Sequence, residues 1–266
     1  MSRFADAGTG RALGFLVGFA LSTAVLLGWV LQTTWWPVID LAVREFPERG
    51  PALADGRFRW PETAPRLLAD SPHLGVAVRP GDSEPLGHTA DLQLELLPRS
   101  LRLAGIAGFV ELPWPPSTDL SLGRLEARAG WEAWRRPVLA ALVVVATGSL
   151  TLIWTLWSLA LALPLRFMAL ILRRQITLGG CWRLGTAACM SASMALDLGL
   201  AGYGLRWVPW PALAAVAALH LLVWGLSAWW GLLNRPGKSR PGKAPNPFQK
   251  QDTGTRARKR GANPFG

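Results

Sequence analysis

Asp197, His220 and Arg206 are the residues whose types and placement could do chemistry in a low-dielectric setting. Asp197 stands in the third of four long apolar runs. A carboxylate at the centre of a membrane helix costs ~2.5–3.5 kcal/mol, so it calls for a partner inside the protein. It precedes Tyr203, at the outer end of its run, by six residues, which places it about 9 Å deep at 1.5 Å per residue. Arg206 could meet it from the hairpin that follows, and His220 from across a helical bundle. An Asp–His pair would seed a proton relay, whereas an ion-paired carboxylate would only lock helices together. The structural reading is favoured, because proton pathways ordinarily use several intramembrane ionisable groups.

Other reactive patterns are missing. No HExxH, Walker or GxSxG motif occurs, and paired-carboxylate catalysis needs two acids where only one lies in a span. His73 and His88 lie far from His220 and read as surface or turn residues without ligand spacing. Cys181 and Cys189 have no metal-type spacing and read as core or lipid-facing thiols. No cofactor or metal is expected. The remaining recognisable motifs are two Asn-Pro-Phe triplets, Asn246-Pro247-Phe248 and Asn263-Pro264-Phe265, each placing an exposed anchor after a turn-prone pair in a polar tail. They look like short docking motifs of the kind eukaryotic EH domains bind. The arginine- and alanine-rich composition points instead to a high-GC bacterial gene, so their reader is unknown.

The elements that must position these residues are apolar helices. Half of the 266 residues are hydrophobic and 17% are charged, too greasy for an ordinary soluble domain. A span needs about 20 residues to cross roughly 30 Å of hydrocarbon. Residues 12–31, 138–163, 184–203 and 209–233 meet that length. The third is the weakest, being rich in Gly, Ala and Ser, but an odd number of spans would put the basic loop and the basic tail on opposite sides. Gly10, Gly14, Gly18 and Ser22 recur every fourth residue, as do Ala187, Ser191, Ala195 and Gly199, so each helix has a smooth face that another helix can approach.

Residues 35–136 are long enough to fold outside the membrane, with no cysteine to staple them. They read as a small α+β domain: a helix at 37–48, strands at 57–60, 74–78, 91–97 and 100–112, a short helix at 62–70, and a final helix at 122–134 feeding the second span. Pro164 is expected to kink the second span into an amphipathic basic loop over 164–183, since one helix over 138–172 would be about 52 Å long. Tryptophans at 29, 35, 36, 131, 134, 207 and 210 mark one interface, and those at 182, 229 and 230 the other.

Charge gives the orientation. Residues 235–266 hold nine Lys or Arg and one acid, while 35–132 hold fourteen acids against ten Arg. With Arg173, Arg174 and Arg183 between the second and third spans, this is the positive-inside pattern of a chain with both ends, residues 1–11 and 235–266, in the cytoplasm. The net charge of +11 is thereby read as a topology signal and not as a nucleic-acid footprint. Lys238, Arg240, Lys243, Arg256, Arg258, Lys259 and Arg260 of a disordered tail are placed to contact anionic lipid headgroups.

Phe46-Pro47, Asp55-Gly56, Trp60-Pro61, Pro65 and Leu67-Leu68, together with the clustered last three spans, resemble an uncharacterised bacterial four-span membrane family that includes members from maltodextrin-utilisation operons. Val78-Arg79-Pro80 stands where that family's Ile-Asp-Thr step would fall, and the basic tail has no counterpart there. The resemblance implies architecture and no activity. The expected protein is a four-transmembrane-helix α-bundle of the bacterial inner membrane, with a small extracytoplasmic α+β domain between helices 1 and 2. Its expected role is a non-enzymatic accessory, sensor or scaffold with a protein partner or as a homo-oligomer. The alternatives are a small-solute transporter using Asp197 and His220, or a membrane enzyme with its site in the outer domain.

Overall fold

A computed structural model describes residues 8–48, 50–81, 87, 90–106, 108–116 and 119–235. Four apolar stretches are helices long enough to cross a membrane. The first is α1 (Thr9–Thr34), followed with a single-residue break by α2 (Trp36–Arg44). The others are α3 (Arg124–Ile171), α4 (Leu178–Gly204) and α5 (Trp210–Leu233).

The weakest apolar run proves to be the central helix. α4 packs against α1, α3 and α5, and its small residues are what permit this. A Cβ on Gly185 would lie 3.3 Å from the Ser158 carbonyl oxygen on α3, and one on Gly199 would lie 2.7 Å from Val216 Cγ1 on α5. Ser191 donates to Ser227 Oγ at 2.8 Å, so the α4 ladder is spent on α5. Trp224 is fully buried between these helices, with Nε1 donating to the Gly185 carbonyl at 2.7 Å. By contrast α3 is largely exposed along its apolar length, with Val144 at 70%. In lipid such exposure costs nothing, because acyl chains are as apolar as the side chain.

The second span stays helical across Pro164, the residue at which a kink was expected. α3 runs 48 residues through both Pro137 and Pro164, about 72 Å at 1.5 Å each, longer than the ~30 Å of a hydrocarbon core, and its first turns pack into the sheet domain. The expected basic loop over 164–183 is correspondingly short: 164–171 belong to α3, and α4 already starts at Leu178, capped by Thr177 Oγ1 accepting from the Gly180 N–H at 3.0 Å. At the end of α3, Arg173 N–H bonds the Leu170 carbonyl and Arg174 N–H the Ala169 carbonyl, with Arg173 at φ +51°. This Schellman closure normally takes glycine at its left-handed position, and a residue with a Cβ costs roughly 1–2 kcal/mol there.

Between α2 and α3 lie two sheets. β1 (Ala52–Ala54) pairs antiparallel with β2 (Arg57–Arg59) and with β8 (Leu120–Ser121). Asp55 and Gly56, at φ +53° and +66°, make the two-residue turn whose positive φ values suit the strand twist. The second sheet has the order β3 (Arg66–Asp70), β4 (Leu74–Val78), β5 (Leu92–Leu96), β6 (Ser100–Gly105), β7 (Gly108–Pro113). All its pairs are antiparallel except β4–β5. Residues 66–70 are thus a strand where a helix was expected over 62–70. Pro65 disfavours a helical residue before it, and the free edge of β4 offers backbone partners. The expected single strand over 100–112 is a hairpin of two.

Leu74, Val76 and Val78 with Leu68, Phe58 and Leu53 pack against Val38, Ala42 and Phe46 of the α2 segment. α3 closes this core: Arg124 Nε donates to the Phe46 carbonyl at 2.8 Å, and Trp131 Nε1 donates to Asp40. The alternation in β5 sends Leu92, Leu94 and Leu96 to that core and Gln93 and Glu95 to the opposite face, where both are also buried. There Glu95 lies 3.7 Å from Arg79 and 3.8 Å from Arg102, and Arg102 stacks 3.8 Å over the Phe109 ring.

Candidate functional site

Asp197 is held by α1 and not by the expected partners. α1 and α4 pack so that Thr23 Oγ1 donates to Asp197 Oδ1 at 2.7 Å, and the half-buried carboxylate borders a shallow groove of about 700 Å³ with Ser22, Trp29 and Met194. His220 turns back on its own helix, its Nδ1 against the Ala217 carbonyl. Arg206 is exposed at φ +63°, its N–H bonded to the Tyr203 carbonyl as it closes the end of α4. No ion pair among the described residues joins either one to Asp197. Hydroxyl donors from α1 satisfy this half-buried carboxylate and tie α4 to α1.

A second polar cluster escaped the sequence reading. His73 is buried at 4% exposure in the turn before β4, and its Nδ1 lies 3.4 Å from Asp91 Oδ2. The same carboxylate oxygen accepts from the Tyr203 hydroxyl at 3.0 Å. The His73 and Tyr203 rings meet edge-on at 4.4 Å, and Tyr203 meets Trp210 at 6.1 Å. Two sheet-domain residues are therefore keyed to the end of α4 and the start of α5. Two signals were present: Asp91 opens an alternating strand, and Tyr203, the single tyrosine of the chain, sits at a helix end where an amphipathic ring belongs. What the sequence lacked was the fold that joins residues 112 positions apart.

A third feature lies at the other end of the bundle, where Arg166, Arg173, Arg174, Arg183 and Arg235 line a cleft of about 870 Å³. Cys181 and Cys189 are buried free thiols. Among the described residues no group of three or more His, Cys, Asp or Glu could hold a metal ion. The Asn-Pro-Phe triplets and the tail cations from Lys238 onward lie outside the described residues, as does His88.

No family model, curated protein or solved structure matches this chain. Its function therefore has to be argued from its own residues.

Proposed function

We propose that the protein is a non-enzymatic accessory or scaffold subunit of the bacterial inner membrane, seating a partner's transmembrane helix against α1. The observation that carries this is the contrast between its two small-residue ladders. The ladder of α4 is consumed inside the chain by α5. That of α1 is open along Gly10, Gly14 and Gly18: all three are exposed, and a Cβ added at any of them would meet nothing within 4 Å, while Ser22 at the end of the ladder turns to Asp197. The buried face of α1 is a different one, made by Ala12, Leu16, Ala20 and Ala24. In a bilayer, helices associate through close van der Waals approach and not through a hydrophobic drive, so a glycine face gains its contacts only when a second helix lies in it.

In the orientation set by the positive-inside pattern, the sheet domain is extracytoplasmic, and it is tied to the bundle by α3 and by the His73–Asp91–Tyr203 contact. Its edge strand β7 is exposed at every residue, with Val110 at 60% and Leu112 at 57%. An uncovered apolar strand edge is a second surface fitted to a protein partner. The tail residues Lys238, Arg240, Lys243, Arg256, Arg258, Lys259 and Arg260 would contact anionic headgroups, and the triplets at 246–248 and 263–265 would dock a reader on the same side.

The test is mild-detergent purification of tagged protein from its native membrane, with cross-linking and mass spectrometry, comparing wild type with Gly14→Leu/Gly18→Leu. A stoichiometric companion that is lost in the double variant supports the reading. A companion retained unchanged by the variant, or none in the wild type, refutes it.

A further inference from the structure

We propose that the arginine cleft at the α3–α4 turn binds a phosphate-bearing anion, either a free phosphate compound or a phospholipid headgroup. The cleft is assembled from four separate segments: Arg166 from the last turns of α3, Arg173 and Arg174 from the connection, Arg183 from α4, and Arg235 from just beyond α5. None of the described residues that line it carries a carboxylate. Arg166, Arg173 and Arg174 bring three guanidinium groups to one side of a cleft of about 870 Å³ that Arg183 and Arg235 also line, and the planar fork of arginine fits phosphate oxygens two at a time.

The positions are fixed by the fold. Arg166 Nη1 donates to the Ile176 carbonyl and Arg174 Nη1 to the Arg235 carbonyl, so two of the groups are clamped across the turn before any ligand arrives. Arg174 Nε is buried and has no hydrogen-bond partner, a donor left over for the cleft. α4 begins at the same place, with Thr177 and Gly180 in the lining, so the positive end of its dipole adds to the field. Arg173 gives the most telling observation. It occupies the left-handed position of the helix closure, where glycine would serve the backbone better, and it brings a cation to the cleft instead. The cleft lies at the end of the bundle away from the sheet domain, formed where α3 ends and α4 begins.

Arg173→Gly separates binding from folding, because it suits the backbone and deletes the cation. Purified full-length protein is heated in detergent with inorganic phosphate or with chloride at equal ionic strength. In parallel, protein from bilayers of phosphatidylcholine with and without phosphatidic acid is examined by native mass spectrometry for retained lipid. A phosphate-specific rise in melting temperature in the wild type identifies a free-phosphate site. Retained phosphatidic acid without that rise identifies a headgroup site. In either case Arg173→Gly should fold at least as stably as wild type and bind about tenfold more weakly, with Arg174→Gln weaker as well. Neither response in the wild type, or binding unchanged in both variants, overturns the proposal.

Discussion

The Tyr203–Asp91 hydrogen bond is one of the contacts that tie the sheet domain to the bundle, and its strength can be worked out in advance. The donor is a neutral hydroxyl, and the acceptor is a carboxylate with 23% side-chain exposure, at 3.0 Å. Bonds to charged groups contribute about 1.5–3 kcal/mol net, and partial exposure places this one near the lower limit. Tyr203→Phe keeps the ring against His73 and Trp210 and removes only the hydroxyl. Asp91→Asn keeps an acceptor of similar shape but removes the charge that both Tyr203 and His73 face. Each single change should therefore lower the protection of the sheet-domain amides beside the junction by about tenfold, the equivalent of about 1.4 kcal/mol. The informative amides are those of Leu74, beside Ser71, and of Asp91, which bonds the Pro72 carbonyl. Hydrogen exchange read by mass spectrometry measures them in detergent. Because both changes act on one bond, the double variant should lose little more than either single one. Fully additive losses, or unchanged protection in Tyr203→Phe, would refute the coupling of domain to bundle.

Two further outcomes follow from the helix contacts. Thr23→Val removes one of the two hydroxyl donors to Asp197 and leaves Ser22 as the other, which should cost about 0.5–1.5 kcal/mol in thermal stability, whereas Thr23→Val combined with Asp197→Leu should recover most of it. Gly199→Leu drives a side chain into Val216, already 2.7 Å from the position of a Cβ, and should destabilise by about 1–3 kcal/mol, while Gly18→Leu on the open face of α1 should leave the melting temperature of the isolated chain unchanged.

The helices were legible because span length is a demand of the bilayer, written as uninterrupted apolar runs. Their rotation was not. The face that α1 turns inward is set by packing, so Asp197 could not be assigned to Thr23 from spacing alone, and His220 and Arg206 were equally plausible candidates. Strand β4 was read to the residue, because Pro80-Gly81 ends it and its apolar residues are contiguous. β3 was misread because Leu67, Leu68 and Ala69 favour a helix locally, and only the exposed edge of β4 makes them a strand. The continuity of α3 through Pro164 was missed for a related reason. A membrane helix can tolerate a missing N–H when its neighbours hold the turn, and Leu165 and Ala169 just beyond that proline are buried in the bundle core. The arginine cleft was half visible: Arg173, Arg174 and Arg183 stood out as a topology signal, while Arg166 and Arg235 join them only through the fold.

The most direct test of the accessory role places a photo-reactive residue at Gly18 on the open face of α1, and separately at Val144 on the lipid-facing side of α3. Irradiation of native membranes should give one discrete protein adduct from position 18 and only lipid adducts from position 144. Equal, diffuse labelling from both positions would mean that no helix lies along α1, and the proposed role would fall.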